Sequence, residues 1–186
     1  GTSNFAAGVN AGNSIASGGQ YNVVIGDEAG TALTTGDKNV AVGFEALKTE
    51  DANGRNTAIG YQALKTLDAG TDSQNTALGD AAGTAMTTGV QNVLTGSGAG
   101  KALTDADYNV AIGIAALATD TQGSNSTAVG RLALNAQNFS SSTDSHNTAV
   151  GSKAGTAVTT GIQNTLIGSL AGDALTDADD NVAVGM

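Results

Sequence analysis

Gly96, Gly98, Gly100 and Lys101 lie together in "NVLTGSGAGKAL", where they could do nucleotide chemistry. The backbone N–H groups of a phosphate loop cradle the phosphates while its lysine neutralises them. That loop also needs glycine where Thr95 stands, Ser or Thr where Ala102 stands, and a long helix to follow. Neither position complies, so the stretch is not read as a phosphate site.

Two acidic turns have the next best claim. In "TDADYN" and "TDADDN", Asp105, Asp107 and Asn109, and again Asp177, Asp179 and Asn181, take the alternate spacing of calcium-loop ligands. Such a loop needs glycine where Val110 and Val182 stand and a bidentate glutamate where Ala116 stands. These residues are read as turn carboxylates at the surface. His146, the single histidine, lies in a polar insertion without a nucleophile or orienting carboxylate at a recognisable spacing, and is read as a solvated loop residue. No catalytic residue, cofactor or metal ligand is assigned, and the chain is read as non-enzymatic.

The composition says what must hold such residues in place. Glycine supplies 27 of 186 residues, aromatics only 3%, and Trp, Pro and Cys are absent. Small residues must therefore bring backbone close to backbone. A net charge of −10 opposes binding to nucleic acid or anionic membranes. Without cysteine there are no disulfides and no thiolate metal sites. No apolar run is long enough for a membrane helix, and "GTSNFAAGVN" lacks the basic and apolar regions of a signal peptide, so an export signal is expected outside this segment.

A motif Asn-x-x-x-Gly-x-x-Ala recurs eleven times, as in "NVAVGFEA", "NTAIGYQA" and "NTAVGSKA", with copies starting at 4, 22, 39, 56, 75, 92, 109, 126, 147, 164 and 181. Seven of the ten spacings are 17 residues. That regularity predicts one repeat array over residues 1–186, a segment of a longer fibre protein. After the Asn come Thr or Val, then usually Ala, then Ile, Val or Leu, as in "NTAIG" and "NVAVG", a short strand of period two. The motif glycines, Gly26, Gly43, Gly60, Gly79, Gly96, Gly113, Gly130, Gly151 and Gly168, are read as corners. Asn22, Asn39, Asn56, Asn75, Asn92, Asn109, Asn147, Asn164 and Asn181 are read as a stacked amide ladder, with Ser126 its one substitution.

Beyond the motif the copies split into two kinds. One has glycine and then an apolar residue three places on, as at Gly30 and Leu33 or Gly83 and Met86; the other has leucine at once, at Leu47, Leu64, Leu117 and Leu134, with mostly polar residues where the first kind is apolar. The kinds alternate in pairs, so a four-turn block repeats. Seventeen residues are too few for a helical repeat, and the leucine pattern is too sparse for a leucine-rich one. The expected fold is all-β, a parallel β-solenoid of about eleven turns, rising ~4.8 Å per turn and spanning roughly 50 Å. Both strand faces are expected to be shielded, the Ile/Val/Thr face lining the solenoid and the small Ala face (Ala41, Ala58, Ala77, Ala111, Ala149) covered by another chain.

The copies "NTAIGYQALKT", "NVAVGFEAL" and "NTAVGSKAGTA" resemble the head repeats of trimeric autotransporter adhesins and similar repeats of bacteriophage tail fibres. The resemblance implies a left-handed β-roll, a homotrimer, and an extracellular role on a virion tail fibre or bacterial surface, as a rigid shaft or head contacting a cell-surface receptor or glycan. Contacts are expected on the two insertions, at Asp68, Thr71, Asp72, Asn138, Phe139, Ser140, Asp144 and His146, because surface loops lengthen there without adding core. The alternatives are a filament subunit stacking end to end, a polysaccharide-cleaving spike, which needs paired carboxylates and sugar platforms, and an ice-binding solenoid, whose Thr-x-Thr ladder is lacking.

Overall fold

The computed structural model describes residues 3–185, and among these there is no helix. The elements are β1 (Phe5–Ala7), β2 (Val23–Ile25), β3 (Val40–Val42), β4 (Thr57–Ile59), β5 (Thr76–Leu78), β6 (Val93–Thr95), β7 (Val110–Ile112), β8 (Gly123–Ser124), β9 (Thr127–Val129), β10 (Thr143–Asp144), β11 (Thr148–Val150), β12 (Thr165–Ile167) and β13 (Val182–Val184). All but β8 and β10 form one 11-stranded parallel sheet in chain order. Pairing is in register throughout, so that Ala111 faces Leu94 on one side and Ala128 on the other. β8 and β10 make a second, two-stranded parallel sheet. The protein is a parallel β-solenoid of about eleven turns of about 17 residues.

The other walls are stacked turns. They too are hydrogen-bonded from layer to layer: the Gly30 N–H donates to the Ala46 carbonyl at 2.9 Å, and Leu47 and Leu64 donate to Ala63 and Ala82 at 3.0 Å. At the corner after each strand, the motif glycines have φ between +124° and +144°. A Cβ on Gly113 would stand 2.5 Å from the Gly130 carbonyl oxygen and 2.6 Å from its carbon, and that neighbour is backbone. Both the conformation and the approach of the next turn exclude a side chain here.

The strand faces are the reverse of the sequence expectation. Ala41, Ala58, Ala77, Ala111 and Ala149 point into the chain's own core and are fully buried, whereas the β-branched residues on either side face outward and are part-exposed. The small face therefore needs no second chain. The reason is volume: the interior already holds a large plug in each turn. Leu33, Met86, Leu103 and Val158 supply it in the glycine turns, and Leu47, Leu64, Leu117 and Leu134 in the leucine turns, all fully buried. The four leucines have left-handed φ of +50°, +48°, +51° and +47°. Strain of about 1–2 kcal/mol at each is offset by burial of a whole leucine, about 1.5–3 kcal/mol.

The exceptions to alanine at the strand centre follow from the same volume rule. Leu94 and Leu166 fill the space that glycine leaves open: a Cβ on Gly83 or Gly100 would meet Leu94 at 2.8 or 2.7 Å, and one on Gly155 or Gly172 would meet Leu166 at 2.7 or 2.6 Å.

Replacing Gly113 by Val should cost more than about 3 kcal/mol, because strain and collision with backbone add. A melting temperature well below that of the exposed Lys101→Ala variant is the expected result, and equal melting would contradict the corner geometry.

Candidate functional site

The polar groups that the fold holds most tightly run along the asparagine column. In eight steps between Asn4 and Asn181 an Asn Oδ1 accepts the backbone N–H of the asparagine one turn later, at 2.9–3.0 Å, and Asn109 Oδ1 accepts that of Ser126 at 2.9 Å. The Nδ2 of Asn22, Asn75, Asn109 and Asn147 donates to the carbonyls of Gly36, Gly89, Gly123 and Gly161 at 2.7–2.9 Å. Each buried amide thus ties its own turn to the next at two points. The column is chiefly amide to backbone; amide-to-amide bonds such as Asn92 to Asn75, 3.2 Å, supplement it.

Ser126 has no amide, and Gln137 takes its place. Gln137 Nε2 donates to Ser126 Oγ at 2.8 Å and to Asp120 Oδ2 at 2.6 Å, while its Oε1 accepts from Asn147 Nδ2 at 2.9 Å. Asp120 Oδ1 accepts from the N–H groups of Gly123 and Phe139, both at 3.1 Å. Glu50, Asp120 and Gln137 are all fully buried and stand where Leu33 and Met86 stand in the other kind of turn. The available signal was their position, eleven residues after the motif asparagine: this place is interior whatever occupies it.

The glycine-rich stretch does not form a loop around a phosphate. The N–H groups of Gly96, Gly98 and Gly100 donate to the carbonyls of Leu78, Asp80 and Ala116 at 2.8, 2.8 and 2.9 Å, and Lys101 is exposed. Of the acidic turns, Asp107 and Asp179 accept the N–H groups of Val90 and Ile162 in the preceding turn, at 2.8 Å, as Asp37 does for Gln20 at 2.7 Å. These carboxylates act as staples between layers.

The insertions leave the solenoid at the same corner, four turns apart. Asp68, Thr71, Asp72, Asn138, Ser140, Asp144 and His146 are exposed. Phe139 is not: it is 6% exposed and lies against Gly123, where a Cβ would meet its ring at 2.7 Å. Its backbone is fastened on both sides, the N–H to Asp120 and the carbonyl to Thr121 Oγ1 at 2.8 Å. Phe139 plugs the widened turn and is withdrawn from any contact surface. Asp72 pairs with Arg55 at 2.8 Å, and Asp144 accepts from Asn125 at 2.8 Å. Sequence reading also passed over Phe44 and Tyr61, which follow the motif glycines of consecutive copies and stack at the surface with centroids 5.6 Å apart.

A charged ladder crosses three turns nearby. Glu45 accepts from Lys48 and Lys65, each at 2.7 Å, and from Gln62 at 2.7 Å, while Lys48 also reaches Glu28 at 2.8 Å. Lys48 foremost, then Lys65 and Gln62, lower the Glu45 carboxyl from 4.5 to about 2.

The fold places this chain among parallel β-solenoid repeat proteins. Comparison with protein-family models, curated proteins and solved structures gives no match.

Two outcomes are expected. Gln137→Leu should cost on the order of 3 kcal/mol, by leaving the buried Asp120 without its side-chain donor; a melting temperature unchanged from wild type would contradict the network. A carboxyl with a lowered folded pKa stabilises fully above its unfolded value and loses that effect as the pH falls through the folded one. The melting difference between wild type and Glu45→Gln should therefore be constant above pH 4.5 and shrink toward pH 2.

Proposed function

We propose that the chain is a non-enzymatic structural and adhesive segment of an extracellular fibre, a phage tail fibre or bacterial surface adhesin, assembled as a homotrimer. The observation that carries this reading is the outer face of the sheet. Along it run two columns of β-branched and aliphatic side chains, among them Val93, Val110, Ile112, Val150 and Ile167, with Ile112 40% and Ile167 42% exposed. One column, from Ile25 to Ile167, is apolar but for Thr95, while the other mixes valine with Thr57, Thr76, Thr127, Thr148 and Thr165; an apolar column of this length favours an interface. Further copies of the same chain have the same repeat and can match the stripe layer for layer. The motif resemblance to adhesin heads and tail fibres supports the same assembly. In it the solenoid is the shaft, and the seven exposed insertion residues are the contacts to a receptor or glycan.

Sedimentation of the purified chain tests the reading. A trimer is expected at micromolar concentration. The Val110→Lys/Ile112→Lys variant should sediment as a monomer that keeps its β-sheet circular dichroism, because both side chains point away from the core. A stable wild-type monomer would defeat the proposal.

A further inference from the structure

The two four-turn blocks solve one packing problem differently. In the second block Asp120 is surrounded by donors, and next to it Thr121 Oγ1 donates to Asn138 Oδ1 at 3.2 Å. The first block, seventy residues earlier, has Glu50 for Asp120, Asp51 for Thr121, Leu67 for Gln137, Asp68 for Asn138 and Ala69 for Phe139. The carboxylate is kept, one methylene longer, and each of the other four changes removes a donor, adds a negative charge or makes room.

The consequence is visible at Glu50. It is fully buried; one oxygen accepts the Asn53 N–H at 3.1 Å, and Oε2 has no hydrogen-bond partner. Carboxylate oxygens of Glu50, Asp51 and Asp68 lie within 4.8 Å of one another, with Asp51 and Asp68 on the solvent side. Among the described residues, no lysine or arginine pairs with any of the three. Burial foremost, with the Asp68 charge beside it, pushes the Glu50 carboxyl above its ordinary value, and hydrogen bonds from Asn53 and the Ala69 N–H offset this only in part.

We propose that Glu50, Asp51 and Asp68 bind a calcium ion, which ties the third turn to the base of the first insertion, where the second block uses Gln137 and Phe139. The donor set is all oxygen, which selects hard cations over zinc or copper. Calcium accepts irregular shells that mix carboxylates with water, which suits one buried and two exposed carboxylates from different turns, whereas magnesium requires near-ideal octahedral geometry. Water completes the shell on the exposed side. The inference does not depend on the fibre reading, because the three residues belong to one chain.

The test is thermal unfolding and calorimetric titration of the whole chain after chelation, with calcium, magnesium, or sodium chloride at matched ionic strength. Calcium should raise the melting temperature saturably, with a dissociation constant of about 10⁻⁴–10⁻³ M, and by more than the other salts. The Asp51→Asn/Asp68→Asn variant changes only exposed side chains, so it should fold, and it should lose the calcium response. The Asp105→Asn/Asp177→Asn variant removes two acids elsewhere and should keep it. A calcium effect no larger than that of sodium chloride, or one that persists in Asp51→Asn/Asp68→Asn, would overturn the site.

Discussion

Everything in this solenoid depends on how closely one turn lies on the next at the motif glycine. The carbonyl of each glycine stands where the preceding glycine would carry a Cβ, as for Gly113 beneath Gly130. That contact, together with the in-register sheet, sets the layer spacing at which an asparagine Oδ1 meets the N–H of the asparagine one turn on, 2.9 Å from Asn92 to Asn109. Glycine and asparagine columns are thus two sides of one constraint. The first lets the backbones approach, and the second satisfies the polar groups that the approach buries.

A narrow layer leaves little volume inside, which explains most of the remaining sequence. A turn holds only one or two large side chains beside the strand, Met86 alone or Leu64 with Leu67, so alanine occupies the strand centre except where a glycine elsewhere frees space, as Gly83 and Gly100 do for Leu94. Plugs come from either of two places because both project into the same cavity. Once leucine takes the left-handed place, the other can hold a polar residue, and Glu50, Asp120 and Gln137 arise there. The two four-turn blocks differ at this place, one holding an internally bonded amide and carboxylate, the other a cluster of acids.

Outside, the solenoid separates two kinds of surface. The sheet presents regular columns of Val, Ile and Thr, suited to a partner with the same period, while the turn walls carry the acidic staples and the Glu28–Lys48–Glu45–Lys65 ladder. An assembly that covers the sheet leaves the insertions and the acidic corner open to solvent, so the proposed self-association and the proposed cation site do not compete for the same face.

The repeat, its length, the strand, the corner glycine and the two plug positions were legible in the sequence, because each is a statement about spacing, and stacking turns in register converts spacing directly into columns. The facing of the strand was not. Alternation shows that Val110 and Ile112 share a face and Ala111 takes the other, but with both faces apolar only the volume left by Leu117 and its neighbours decides that alanine goes inside. Phe139 was likewise ambiguous in a serine-rich loop until the space beside Gly123 and the donors around Asp120 drew it inward. Glu50 shows the same limit. Its place eleven residues after Asn39 marks it as interior, but nothing in "LKTED" shows an oxygen left unpaired; the loss of a donor at Leu67, in the next turn, does that.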